Sequence, residues 1–223
     1  MATFTARDLT LAAVAAVRIL GIDPGTLVVG YACLEVAVSG ARGSGGDVPL
    51  AMRASNVVRV GGGGGEDVRL LVAGALDLGG RHAPLPVRLR SLADQFAGLL
   101  RSWTPHEVAI EEAFYGKSVQ AALRIGEARG VVLAESARAG LEVHQFAPAR
   151  VKRCVTGRGA AGKDAVAAMV GQLVQHGRQA LHSSLPRDAT DAVAVAWTRL
   201  EQRRSPLVMA RAVADPKGRA GSQ

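Results

Sequence analysis

The sequence predicts an α/β fold, a mixed five-stranded sheet with helices packed on its faces, and three observations carry it. Apolar, β-rich runs fill residues 17–38 as a strand, a turn and a second strand, and they recur at Val48–Val60, Glu107–Glu111 and Leu141–Phe146. Segments of helical periodicity stand between and after the later runs: Pro86–Trp103, Lys117–Arg138, Pro148–Val155, Lys163–His176 and Arg187–Arg203. Strands that alternate with helices late in a chain need crossover connections, and those place helices over the faces of one sheet. At 223 residues the chain is long enough for one such domain with a full core, and short for two.

Residues 1–16 are expected to be an N-terminal extension, a short helix with Asp8 near its start. The domain proper is expected over 17–203. Its first strand, Arg18-Ile19-Leu20-Gly21-Ile22, delivers Asp23, and Pro24-Gly25 turns the chain at once into Leu27-Val28-Val29-Gly30-Tyr31-Ala32-Cys33-Leu34. Five consecutive glycines, Gly61–Gly65, lack the Lys-Ser/Thr ending and immediate helix of a phosphate loop. They read as a tether inside a mobile insertion over residues 61–84. Pro86 suits the first turn of a helix whose Val87, Leu89, Leu92, Phe96, Leu99 and Leu100 make its apolar stripe, and Thr104-Pro105 stops it. Thr156–Gly162 is a basic, glycine-rich loop, and residues 204–223 form a basic tail expected to fray.

Lys and Arg number 27 against 19 Asp and Glu, a net charge of +8, which favours polyanionic partners through long-range attraction and counterion release. Cys33 and Cys154 have no metal-type spacing and no disulfide framework, and Cys33 falls in a strand as a small core residue. The apolar run Leu9–Leu20 is too short to span a bilayer, is interrupted by Arg18 and lacks a cleavage site. The sequence therefore reads as that of a cytoplasmic protein in a reducing compartment. His144, His176 and His182 share no ligand spacing and read as structural or surface residues.

Four carboxylates are candidates for one cluster. Asp23 ends the first strand, Glu111 exits a later one, and Asp188 and Asp191 lie one turn apart at the start of the last helix. Asp188-Ala189-Thr190-Asp191-Ala192-Val193-Ala194-Val195-Ala196 has few large side chains, so that helix can approach a sheet closely, and its N-terminus favours negative charge. Carboxylates that converge without basic partners repel unless cations sit among them. Oxygen-only donors select hard ions, so Mg²⁺ is the expected cofactor, with Mn²⁺ a substitute. Two such ions about 3.5–4 Å apart suit phosphodiester hydrolysis.

The motifs Gly21-Ile22-Asp23-Pro24-Gly25, Ala109-Ile110-Glu111-Glu112-Ala113-Phe114-Tyr115-Gly116-Lys117-Ser118, Gly126-Glu127-Ala128-Arg129-Gly130 and Asp188-Ala189-Thr190-Asp191-Ala192 together resemble the RuvC family of Holliday-junction resolvases, in the same order and with most of the same spacings over residues 17–200. The resemblance implies an RNase H-like fold, a homodimer, and metal-dependent symmetric nicking of four-way junction DNA during recombination and repair. It implies that Asp23, Glu111, Asp188 and Asp191 are the metal-binding catalytic set, with Glu112 as the alternative glutamate. It further implies that Phe114 stacks on a junction base, with Tyr115 and Lys117 at the DNA beside it. Lys152 and Lys163 match basic positions of the family, and Arg150, Arg153 and Arg158 add charge that would position phosphates. The helix carrying Leu123, Gly126 and Gly130 is the implied dimer helix, and a branch-migration complex of the RuvA and RuvB type is the implied partner.

The N-terminal extension, the glycine-rich insertion and the tail depart from the family pattern. Two alternatives stand beside this reading. One is an RNase H-like nuclease acting on RNA or an RNA–DNA hybrid. The other is an actin-like ATPase or sugar kinase, to which Gly-Ile-Asp-Pro-Gly-Thr and Asp77-Leu78-Gly79-Gly80 bear some likeness, but which needs two domains around a nucleotide cleft.

Overall fold

The computed structural model describes residues 16–37, 58–60, 68–112, 119–175 and 185–205. Expectations for residues 1–15, the glycine run, Phe114, Tyr115, Lys117, His176, His182 and residues 206–223 lie outside them. The elements in chain order are β1 (Ala16–Asp23), β2 (Val28–Ala37), β3 (Val58–Val60), β4 (Val68–Asp77), α1 (Leu85–Trp103), β5 (Glu107–Glu111), α2 (Val119–Arg138), β6 (Glu142–Phe146), α3 (Pro148–Thr156), α4 (Lys163–Gln175) and α5 (Arg187–Arg204).

The sheet has the order β3-β4-β2-β1-β5-β6. It is mixed, as expected: β1 pairs antiparallel with β2 and parallel with β5, and β5 runs parallel to β6. Five strands of five residues or more make its body, and the three-residue β3 adds a short edge.

Alternation along each strand divides the core in two. Ile19, Ala32, Leu34 and Ala109 face α5, which is sandwiched between the sheet and α3 and α4. Leu20, Ile22, Cys33, Val108 and Ile110 face the other way, toward Leu92 and Phe96 of α1 and Ala128 and Val132 of α2. Cys33 is fully buried there, as a core residue. Burying α5 on nearly every side requires the small residues its sequence supplies, and Ala189, Ala192, Ala194 and Ala196 are all inaccessible to solvent.

The insertion expected over residues 61–84 is corrected across 68–77, which form β4 and pair with β2 along its length. Its apolar pattern is out of step because Cys33 pairs with Val72 while Leu34 pairs with Leu70, leaving Leu71 as the extra residue of a bulge. The bulge shifts the inward-facing set by one residue midway, so the run lacks strict period-two alternation. Of the strand expected at Val48–Val60, only Val58–Val60 is among the described residues, and it pairs with β4.

α1 starts one residue earlier than expected and ends at Trp103. Thr104 takes a left-handed conformation, its φ at 41°, and its N–H donates to the Leu100 carbonyl before Pro105 ends the helix.

Candidate active site

β1 and β5 lie side by side in parallel, with Gly21 level with Ala109 and Ile22 level with Ile110. One step further along, at the carboxyl ends of both strands, are Asp23 and Glu111. Alternation puts them on the face shared by Gly21 and Ala109, the face that α5 covers. Glu112 falls beyond the strand, exposed, with its N–H donating to the Phe146 carbonyl at 2.9 Å. Glu111 is therefore the glutamate that turns toward α5.

Glycine at two positions lets α5 descend onto this strand end. A Cβ at Gly21 would lie 2.7 Å from the Ala196 nitrogen and 2.8 Å from its Cβ, and would overlap the Ala192 carbonyl. Across the β1–β2 pair, Gly30 sits opposite Asp23, and a Cβ there would collide with the Asp188 carbonyl. The first turn of α5 is thus seated directly over β2 beside Asp23. That brings Asp188 and Asp191 within electrostatic reach of Asp23, and Asp191 within that of Glu111, at the positive end of the helix dipole.

Burial first, and neighbouring charge after it, raise Asp23 and Glu111. Burial pushes Asp23 up to about 6, and the charges of Asp191 and Asp188 add to the rise, while Lys163 opposes it. Glu111 is pushed up to about 7 by burial, then by Asp23 and Asp191, with Lys163 and Lys152 opposing. Lys163, the first residue of α4, sets its ammonium 3.3 Å from Asp191 Oδ2, and the Asp191 charge raises its own pKa. Among the described residues, no group of three or more His, Cys, Asp or Glu side chains is drawn together tightly enough to grip a cation as it stands. The donor set still fits a hard divalent ion. It offers only carboxylate oxygens, and it carries a repulsion that a cation would relieve.

The basic residues divide by position. Lys152 on α3 and Lys163 on α4 reach the electrostatic neighbourhood of the carboxylates. Arg150, Arg153 and Arg158 are exposed on α3 and the loop after it. Arg150 lies over the Phe146 ring, 5.2 Å from its centroid. Arg158 is held in its loop through backbone bonds with the Thr156 hydroxyl.

Sequence reasoning passed over Glu107, four residues before Glu111 on the same strand face. It is buried, receives Arg199 Nε at 2.7 Å, and is also bonded by Arg203. Burial pushes its pKa up, but the Arg199 hydrogen bond and the charges of Arg199, Arg203 and His144 outweigh that and hold it below the ordinary range. His144 lies 3.6 Å from it, in a structural position. The available signal was Glu107-x-Ala109-x-Glu111 sharing one face, with Arg199 and Arg203 one helical turn apart.

Comparison with known proteins agrees with the fold. The family model described as crossover junction endodeoxyribonuclease RuvC matches residues 50–199, a span that begins after β2, so that Asp23 lies before it. The crossover junction endodeoxyribonuclease RuvC of Halorhodospira halophila is 35% identical over 193 residues, covering 86% of this chain and 95% of that protein. That of Porphyromonas gingivalis is 33% identical, covering 85% and 84%. Among solved structures, Thermus thermophilus RuvC in complex with Holliday junction substrate superposes with a TM-score of 0.63 at 27% identity, over 84% of this chain and 95% of that one. These matches set aside the kinase-like alternative. The chain belongs to the RuvC family of crossover junction endodeoxyribonucleases.

Proposed function

We propose that this protein resolves four-way DNA junctions by nicking two symmetric strands, and that Asp23, Glu111, Asp188 and Asp191 are its catalytic set. The observation that carries the reading is the placement of four carboxylates at one sheet end, where Asp23 and Glu111 are pushed up by burial first and then by neighbouring carboxylate charge. These four would hold Mg²⁺, or Mn²⁺ in its place. Such an ion supplies Lewis acidity toward a phosphoryl oxygen and an attacking water.

The chain's own side chains account for the rest. Lys163 and Lys152 supply positive charge beside the carboxylates, where they hold a phosphodiester in place and offset its charge. The seating of α5 on Gly21 and Gly30, together with the Glu107–Arg199 pair at its far end, fixes Asp188 and Asp191 against the sheet. Arg150, Arg153 and Arg158 extend positive charge along α3 and its loop, as backbone contacts that do not read sequence. Phe114, Tyr115 and Lys117, just beyond β5, would meet the unpaired bases and nearby phosphates of the branch point.

A homodimer suits two symmetric nicks. Its candidate face is α2, where Val119 and Leu123 are exposed and the space beside Gly126 and Gly130 is open. A branch-migration complex of the RuvA and RuvB type is the further partner proposed, acting in the cytoplasm.

The discriminating experiment offers a synthetic mobile four-way junction, a linear duplex and an RNA–DNA hybrid in Mg²⁺. Paired nicks on the junction alone are the expected outcome. Cleavage of the hybrid in preference to the junction would overturn the substrate and leave the carboxylate site intact.

A further inference from the structure

On the opposite face of the sheet from α5, an open cleft of about 390 Å³ lies between the β1–β2 turn, the loop before α1 and the start of α2. Thr26, Arg81, Arg88, Gln120 and Arg124 line it, with Leu27 and Ala121 as its apolar part. Three guanidinium groups therefore converge on one concavity, and no carboxylate is among the lining residues. Arg124 is partly neutralised by Glu127 at 3.1 Å, and Arg81 is exposed in the loop that leads into α1.

Arg88 is the anchor. Its Nη1 donates to the Thr26 carbonyl at 2.6 Å, which fixes the side chain against the turn. Its Nε is buried, with no hydrogen-bond partner among the described residues. A charged donor that lacks an acceptor is costly, so Arg88 gains from acceptor oxygens brought to the open side of its guanidinium fork. Planar guanidinium forks and a side-chain amide match a phosphate and repel a cation.

The location specifies the source of that phosphate. β1 and β5 both point their carboxyl ends to this end of the sheet, so the cleft and the carboxylates lie on either side of the same turn. Thr26 is only three residues beyond Asp23, at most about 11 Å of extended chain. A DNA strand that leaves the carboxylates and crosses the Pro24–Leu27 turn meets this cleft within a few nucleotides.

The geometry points to Arg81, Arg88 and Arg124 as a phosphate subsite for the DNA strand, on the far side of the β1–β2 turn from Lys152 and Lys163. The inference rests on the junction-cleaving function proposed above and adds a binding surface to it. The site holds the strand on both sides of the scissile position, with the turn as a fulcrum.

The test measures junction affinity against salt concentration for the full chain and for Arg81→Gln/Arg124→Gln. Those two substitutions spare the Arg88–Thr26 hydrogen bond, and unchanged melting temperatures would show that the fold is intact. The expected result is a loss of affinity of roughly tenfold, and a log–log salt slope shallower by about one for each phosphate that is no longer neutralised. Unchanged affinity and slope, in a protein whose parent binds junctions, would overturn the subsite and leave the resolvase function standing. A parent that binds no junction at all would overturn both. Stabilisation of the parent by millimolar inorganic phosphate that the variant lacks, with the junction slope unchanged, would make the cleft a small-anion site and refute the assignment to DNA.

Discussion

The ammonium of Lys163 stands 3.3 Å from Oδ2 of Asp191, tying the first residue of α4 to the second turn of α5. The lysine is largely exposed, so the pair adds less than about 1 kcal/mol to stability. Its value lies in the charge it holds beside four carboxylates and the phosphate they would act on. Lys163→Gln is expected to leave the melting temperature nearly unchanged while lowering the single-turnover cleavage rate by about a hundredfold. A variant that melts early and cleaves normally once folded would make Lys163 a structural residue.

Asp23 and Glu111 bind protons more tightly in the folded protein than in the unfolded chain, where they titrate near about 4. Between about pH 4 and pH 7 the native state therefore holds the extra protons, and stability of the metal-free protein falls as pH rises through that window. The double variant Asp23→Asn/Glu111→Gln removes this slope, and above pH 7 it is expected to be more stable than the parent by up to about 6 kcal/mol, at about 1.4 kcal/mol for each pH unit by which the two carboxyls are raised. Mg²⁺ should stabilise the parent and not the variant. Denaturant melts across pH, with and without the metal, provide the check, and parallel pH curves for the two proteins would show that these carboxyls do not carry the shift.

Glu107 has the opposite sign. Its carboxyl is held below the ordinary range, so the stability it contributes is fully present above about pH 4 and is lost as pH falls through its depressed native value. Glu107→Gln would leave the Arg199 guanidinium buried without its counter-charge and is expected to cost about 3–5 kcal/mol. Urea denaturation at neutral pH measures this, and the gap between parent and variant should close in acid. A loss below 1 kcal/mol would mean that the buried pair relaxes toward solvent.

Leu123 is the most exposed of the large apolar residues on α2, at 64%. Leu123→Glu places charge in the middle of the proposed dimer face. Sedimentation should show a shift from dimer to monomer, with paired nicking of a junction abolished before single nicks are. A dimer that survives the change would move the interface elsewhere.

The carboxylate end of the sheet was legible in the sequence because each of its parts is local. Asp23 ends an apolar run before Pro-Gly, Glu111 ends a five-residue strand, and Asp188 and Asp191 open a helix rich in alanine. What the sequence hid was non-local or irregular. β4 was obscured by the bulge at Leu71, which breaks the alternation that identifies a strand. The Glu107–Arg199 pair joins residues 92 positions apart, and nothing near either one announces the other. The Arg81, Arg88 and Arg124 cleft gathers a loop and two helices, and each arginine alone reads as ordinary surface charge.

The most direct test of the carboxylate centre compares cleavage and binding of a mobile four-way junction by the parent protein and by Asp23→Asn in Mg²⁺. Paired symmetric nicks by the parent are expected, with a rate at least about a thousandfold lower for the variant. Junction affinity should be equal or tighter in the variant, since one negative charge facing the DNA has gone. An Asp23→Asn protein that still nicks the junction at the parental rate would contradict a catalytic role for this cluster, and the chemistry would have to be sought away from this sheet end.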